Sequence, residues 1–395
     1  MISLYRNKWH WVLIIAVLIS LLLAMVPPQP GRAAGPRYVA PGGDDGNTCL
    51  DADNPCATIQ TVVDKADLGS GVTIYVAVGT YVGSGAYGVV SKSFLHNIVF
   101  SGGWNNDFTL QTGMSTIDGQ NSRRGLYLRD STVTLDRFIV ENGYNDDGSN
   151  GGAMYGGAIY TNGTTSDSLT ITNSVIRNNS ALFGGAIGIE GGTVVLNNSV
   201  VNGNVLNSNT GCNSIFTYGT LIMNNSTVSG NNGGNTSICL RSSAANVYIN
   251  SSTIANNHGN GVYPSMGLHI SIGNVFIQNS ILADNAGDDC FNDYGTFTSS
   301  GYNLIESQQG CTTTESDILN TDPHLGPLFN YGSLTLTQAL LFGSPAIDAG
   351  NPAGCMGSDG VLDSDQRGFP RYGRCDIGAY EAQHIFPVFL PIITR

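Results

Sequence analysis

Leu169-Thr170-Ile171-Thr172-Asn173-Ser174-Val175-Ile176-Arg177-Asn178-Asn179 returns, with substitutions, four more times before residue 290. Taking Ser174, Ser199, Ser226, Ser252 and Ser280 as anchors, the spacings are 25, 27, 26 and 28 residues. Two residues after each anchor stands an aliphatic: Ile176, Val201, Val228, Ile254 and Leu282. Three before come Ile171, Leu196, Met223, Ile249 and Ile277, and five before come Leu169, Val194, Leu221, Val247 and Val275. Five after stands an asparagine, at Asn179, Asn204, Asn231, Asn257 and Asn285. A period in this range marks a solenoid, in which each unit buries its apolar face against its neighbours.

Within each unit apolar and polar residues alternate over short runs separated by Gly and Asn, which reads as strand, turn, strand. No run carries the 3.6-residue period of a helix, and the Asn, Gly, Ser and Thr content opposes one. About 26 residues per turn suits three short strands per coil. The expected fold is all-β: a right-handed parallel β-helix, the hand being that preferred by parallel crossovers. Each inward aliphatic is worth roughly 1.5–3 kcal/mol on full burial. The asparagine column is expected to supply left-handed turn residues and to hydrogen-bond from coil to coil.

The pattern extends upstream. Leu135-Asp136-Arg137-Phe138-Ile139-Val140 aligns with Ile171 to Ile176, and Val72, Ile74, Val76 and Val78 alternate as a first strand. Ile59, Val62, Val63 and Ala66 fit one face of a short helix, expected to cap the open end of the stack. Tyr38 to Gly42, Ala57-Thr58-Ile59-Gln60 and Gly71 to Tyr81 resemble the amino-terminal cap of the pectate-lyase-like β-helix superfamily. Gly156-Gly157-Ala158-Ile159 and Gly184-Gly185-Ala186-Ile187 are similar to the repeats of polymorphic outer-membrane proteins.

The expected organisation is an export signal (1–33), an amino-terminal cap (34–71), the β-helix (72–299), a carboxyl-terminal module (300–383) and an apolar tail (384–395). The export reading rests on Arg6 and Lys8 before the apolar stretch Trp11 to Val26, with small residues around Ala33. The rival is an uncleaved anchor, which sixteen apolar residues would serve only marginally. The rest of the chain has no run long enough to span a membrane, which predicts a secreted or cell-surface protein. Cleavage would take the formal charge from −13 to −16, which argues against nucleic acid and anionic membranes as partners.

Eight cysteines in an exported chain predict disulfides. Cys212 and Cys239 occupy nearly the same place on successive coils, which lie about 4.8 Å apart, within reach of a bridge. Cys49–Cys56, Cys290–Cys311 and Cys355–Cys375 are the simplest local pairings. No CxxC supports zinc.

After Cys290 the repeat fades. Gly301-Tyr302-Asn303-Leu304, Leu325-Gly326-Pro327-Leu328, Gly343-Ser344-Pro345-Ala346-Ile347-Asp348-Ala349-Gly350 and Cys375-Asp376-Ile377-Gly378-Ala379-Tyr380-Glu381 strongly resemble the choice-of-anchor Q domain. The likeness implies display at the cell surface. Its usual pattern is broken at Asn330-Tyr331-Gly332. Asp348, Asp365, Arg367, Arg371, Asp376 and Glu381 read as salt bridges that hold loops together in a loop-rich cap.

Acid–base chemistry is sparse. A lyase needs a base and cations to stabilise an enolate, and a hydrolase needs paired carboxylates. If Ile187, Leu240, Leu268 and Ile270 point inward, Glu190, Arg241 and His269 point outward on one sheet, forming the candidate catalytic cluster. The position four before each anchor runs Thr170, Val195, Ile222, Tyr248 and Phe276, an apolar stripe expected to be covered by a loop or the carboxyl-terminal module. Sugar stacking on Tyr248 and Phe276 is the functional alternative. No cofactor is required. Calcium is the metal to expect if one binds, with Asp359, Asp363 and Asp365 as candidate ligands and Asp44, Asp45, Asp51, Asp53, Asp146 and Asp147 in other acidic loops.

The sequence therefore predicts a non-catalytic β-helix displaying loops for adhesion or glycan binding. The alternative is a polysaccharide lyase or glycoside hydrolase acting along an outer face.

Overall fold

The computed structural model describes residues 35–65, 71–83, 85–145, 154–208, 211–259 and 265–383. The export segment, Ala66, Asp146, Asp147 and the apolar tail lie outside these residues. Gly35 onward forms one compact unit. Three long parallel sheets run along it, with a short fourth of three strands, Tyr144–Asn145, Ser180–Ala181 and Val205–Leu206. Sheet A stacks ten strands from Arg37–Val39 to Thr296–Ser299, and sheet B ten from Thr80–Tyr81 to Ile318–Leu319. Sheet C stacks nine from Val90–Ser93 to Gln308–Gln309. One coil contributes Thr193–Asn197 to A, Val200–Asn202 to B and Cys212–Thr217 to C. This is a parallel β-helix with three main strands per coil.

The register follows the repeat residue by residue. Ile176, Val201, Val228, Ile254 and Leu282 are successive partners in sheet B. Leu169 and Ile171 begin matching columns in sheet A through Val275 and Ile277. Leu135 pairs with Ile171 and Val140 with Ile176, as the upstream alignment requires. No member of these three five-residue columns is more than 1% exposed.

Two polar ladders run inside the coils. The Nδ2 of Asn179, Asn204, Asn231 and Asn257 each donates to the Oδ1 of the next asparagine at 2.9 Å. Asn285 Nδ2 closes the series on the Asp289 carboxylate at 2.8 Å, so an anion meets the donor end of the aligned amides. The anchor serines form the second ladder: the backbone N–H groups of Ser174, Ser199, Ser226 and Ser252 donate to the Oγ of the following serine. Asn303, held by Asp317 Oδ1, ends it. One expectation is corrected here. The ladder asparagines are not the left-handed residues. Positive φ falls one residue earlier, at Asn178, Gly203, Gly230, Asn256 and Asp284, and again just before each serine. The buried asparagines are spent on hydrogen bonds, while their less buried neighbours make the turn.

The amino-terminal cover also differs from expectation. The helix α1, Ile59–Asp64, has only six residues; Thr58 caps it and Ile59, Val62 and Val63 are buried. Most of the cover comes from Arg37–Val39, which pairs with Thr73–Ala77 and makes the latter the second strand of sheet A. The loop bridged by Cys49–Cys56 bonds to the free edge of Arg37–Val39.

All four disulfides, Cys49–Cys56, Cys212–Cys239, Cys290–Cys311 and Cys355–Cys375, are formed. Cys212 and Cys239 are not register partners, however. Cys212 lies opposite Thr236, and a bulge before Ile215 brings its Cα within 5.8 Å of Cys239.

The first residues of the carboxyl-terminal module complete the end of the coil, as the strands Leu304–Ile305, Gln308–Gln309 and Ile318–Leu319, before the rest of it leaves the stack. That remainder folds back along sheet B. Thr227 Oγ1 hydrogen-bonds Gln366 Oε1 at 2.5 Å, Ala379 N–H donates to Thr253 Oγ1, and Ile281 packs with Leu340, Ala346 and Ile377. The physical reason lies in the outward residues of sheet B, small or apolar at Thr227, Thr253 and Ile281, which offer a flat surface to bury. Thr170, Val195, Ile222, Tyr248 and Phe276 on sheet A consequently stay partly exposed rather than covered by the module. The module's charges do bind its loops, as Asp365–Arg367 at 2.6 Å and Arg371–Glu381 at 3.1 Å. No described helix is long and apolar enough to cross a membrane.

Candidate functional site

The outer face of sheet C carries two adjacent columns, because every second residue of a strand points out. The first runs Tyr127, Tyr160, Gly188, Phe216, Cys239, His269 and Phe291. The second, two residues further along each strand, includes Arg129, Asn162, Glu190, Tyr218, Arg241, Ser271 and Asp293.

The first column is an aromatic platform. Tyr87 and Tyr127 have ring centroids 5.0 Å apart, and Tyr127 and Tyr160 5.4 Å. Gly188 interrupts the column for a steric reason: a Cβ there would lie 2.5 Å from the Cβ of Tyr155. Tyr155 uses that space and stacks on Phe216, with centroids 4.6 Å apart and planes 8° from parallel. Tyr218 closes the series edge-on to Phe216 at 4.9 Å. Beneath it the buried Arg124 guanidinium donates to the carbonyls of Gly156 and Tyr155 at 2.8 and 3.0 Å and faces the Tyr160 ring at 4.9 Å. Burial lowers the Arg124 pKa to about 10, which leaves it cationic at neutral pH. Tyr155 is pushed up to about 12, by burial first and then by Tyr218 and the Glu190 charge. It therefore stays a neutral phenol and cannot serve as a base.

The predicted cluster of Glu190, Arg241 and His269 is not assembled. Glu190 and Arg241 share the second column with Tyr218 between them. Glu190 accepts from the Tyr160 hydroxyl and from Asn162 Nδ2. Arg241 donates to Ser271 Oγ at 3.3 Å, and His269 Nε2 meets both Ser271 Oγ at 3.3 Å and Asp293 Oδ2 at 2.9 Å. A Ser–His–Asp relay needs the serine and the carboxylate on opposite ring nitrogens. Here both meet Nε2, and Nδ1 is buried without a partner among the described residues. Along the column Asp293 lies four coils from Glu190, roughly 19 Å at the spacing of parallel strands. Paired glycosidase carboxylates stand about 5–9.5 Å apart. The rise per coil thus separates the groups that outward direction alone brought together.

The calcium candidates are also dispersed. Asp365 is fully buried against Arg367, whereas Asp359 and Asp363 line a surface cleft. No group of three or more His, Cys, Asp or Glu among the described residues is placed to hold a metal ion. The other aromatic sets are smaller. Tyr248 and Phe276 stack at 4.9 Å on sheet A, and Tyr38, Tyr75, Trp104 and Phe108 pack in tilted and edge-to-face pairs near its first strands.

A further acidic group lies near the last coils. Burial, then Glu306, Asp322 and Asp289, push the Asp284 carboxyl up to about 6 from an ordinary 3.8. The folded state therefore binds the extra proton, and stability falls as pH rises from about 4 to about 6. Asp284→Asn should remove that slope and stabilise the protein at pH 7 by about 1 kcal/mol, allowing for solvent screening of a partly exposed carboxyl. Urea denaturation at two pH values measures it. An unchanged slope would contradict the assignment.

No known family profile matches the chain, and no curated protein does. Among solved structures it is similar to the crystal structure of pectate lyase Pel9A, at 16% identity over 88% of this chain and 96% of that one, with TM-score 0.46. It is also similar to a rhamnogalacturonan lyase, at 13% identity over 78% and 96%, with TM-score 0.26. At these values the description of the fold rests on this chain's own strand register.

Proposed function

We propose that the protein engages glycans along the outer face of sheet C as an exported, surface-displayed β-helix. The aromatic platform carries the reading. A pyranose ring has an apolar C–H face that packs on a tyrosine ring and a hydroxyl rim that needs hydrogen-bonding partners. Tyr87, Tyr127 and Tyr218 offer the first, and Asn162, Glu190, Arg129 and Arg241 the second. Both columns run along the stacking axis, so the ligand they suit is an extended chain. Export rests on the segment 1–33, and surface display on the resemblance of residues 300–382 to the choice-of-anchor Q domain.

Binding without turnover is favoured because the acid–base groups are dispersed. The alternative, a polysaccharide lyase or glycosidase, would use the same face. Glycan arrays probed with the mature protein, and a polyuronate panel read by product absorbance and reducing ends, separate the two. Tyr127→Ala should weaken glycan binding about tenfold while leaving the fold intact. Turnover lost in Glu190→Gln or Arg241→Ala would establish the enzyme instead, and no binding to any glycan would reject both.

A further inference from the structure

The turn from sheet A to sheet B places one residue at positive φ in each of six coils: Arg137, Asn173, Asn198, Asn225, Ser251 and Asn279. Asparagine suits this backbone, and a long side chain adopts it rarely. Arg137, at φ 59°, and Tyr302, at φ 58° in the coil after Asn279, are the exceptions. The lower half of the column anchors the carboxyl-terminal module: Asn225 Nδ2 donates to Ser364 O, Ser251 Oγ to Met356 O, and Asn279 Oδ1 accepts from Asn351 N–H. The upper half makes one such contact, through the backbone carbonyl of Asn198, which accepts from Thr335 Oγ1 at 3.2 Å, and none through its side chains. Arg137, Asn173 and Asn198 line a cleft of about 410 Å³, walled on its far side by 332–335 and 366–368.

The cleft is lined by hydrogen-bonding groups and one uncommitted charge. Arg367 is spent on Asp365, and Gln366 Nε2 on Leu336 O. Asn173 Nδ2 donates to Asp136 Oδ1. Arg137 lines the cleft, its guanidinium has no hydrogen-bond or ion-pair partner among the described residues, and the Asn198 amide likewise has none. An unfavourable backbone position that holds a residue with nothing to satisfy it within the fold points to something outside the fold.

We infer that this cleft is a binding site, separate from sheet C, for a small saccharide bearing one oxyanion. Arg137 takes the oxyanion through its planar fork of donors, and the Asn198 amide takes a neighbouring hydroxyl. Its volume falls within the range of small-molecule sites, about 300–1,000 Å³. A carboxylate and a sulfate ester both match the guanidinium.

The test is titration of the mature protein with glucuronate, glucose 6-sulfate and glucose, followed by ligand-observed NMR. The expected result is binding of one or both anions, weak or no binding of glucose, and at least about tenfold weaker anion binding in Arg137→Asn. That variant carries the residue the neighbouring coils use, so its thermal midpoint should hold or rise. Its binding of sheet C glycans should be unchanged. Which anion binds identifies the ligand's acid group. Absence of anion binding at millimolar concentration, or equal affinity in wild type and Arg137→Asn, would overturn the inference.

Discussion

Asn231→Ala is expected to destabilise the protein by at least about 3 kcal/mol, more than any exposed asparagine does. The Asn231 side chain sits in the middle of the buried ladder. Its Oδ1 accepts from the backbone N–H and the Nδ2 of Asn204 at 3.0 and 2.9 Å. Its Nδ2 donates to Asn257 Oδ1 at 2.9 Å and to the carbonyls of Val201 and Ser229. Truncation leaves two donors of Asn204 and an acceptor of Asn257 without their partner, in a site closed to water on all sides. Each buried polar group left unsatisfied costs about 1–3 kcal/mol, and the ladder's aligned bonds reinforce one another. Asn106→Ala, at an exposed position, should change stability by less than about 0.5 kcal/mol. Chemical denaturation of both variants decides the matter. Equal midpoints would mean that the ladder contributes nothing beyond the aliphatic columns.

Arg371→Ala should be comparably damaging, and its effect should be local. The Arg371 side chain is 3% exposed and Glu381 1%. Besides Glu381, the guanidinium holds the carbonyls of Gly378, Asp376 and Ser364 and the Oδ1 of Asn225 on the coil. Burial lowers its pKa, and the neighbouring carboxylates of Glu381, Asp365 and Asp376 raise it. Removing one partner of a buried pair strands the other charge at a cost of about 3–5 kcal/mol. The module should loosen from sheet B while the coils remain folded. Limited proteolysis would then cut the module with the far-ultraviolet spectrum of the coils retained. Loss of all β signal at once would show instead that coil and module fold as one unit.

The in-phase aliphatics made the coils legible in the sequence, because burial in a stack leaves a column no freedom to vary in polarity. The pairing of Cys212 with Cys239 followed from the same phase, although the bulge at Cys212 could not be read from spacing. The aromatic platform was hidden for a physical reason. Tyr127 and Tyr160 are 33 residues apart, outside the repeat, because the connection that follows Gly143 lengthens that coil. Tyr155 belongs to no column and reaches the platform only through the space left by Gly188. A glycine between two inward isoleucines, Ile187 and Ile189, was the one available signal. Glu190, Arg241 and His269 were found as outward residues, but outward direction says nothing about distance along the axis. The path of the module was likewise illegible, since a long return along sheet B leaves no periodic trace.

The most direct test of the central proposal is hydrogen–deuterium exchange of the protein with and without a glycan selected from the array. Protection is expected in the strands that carry Tyr127, Tyr160 and Tyr218, together with the turn at Tyr155. Protection confined to the strands of Tyr248 and Phe276 on sheet A would contradict it.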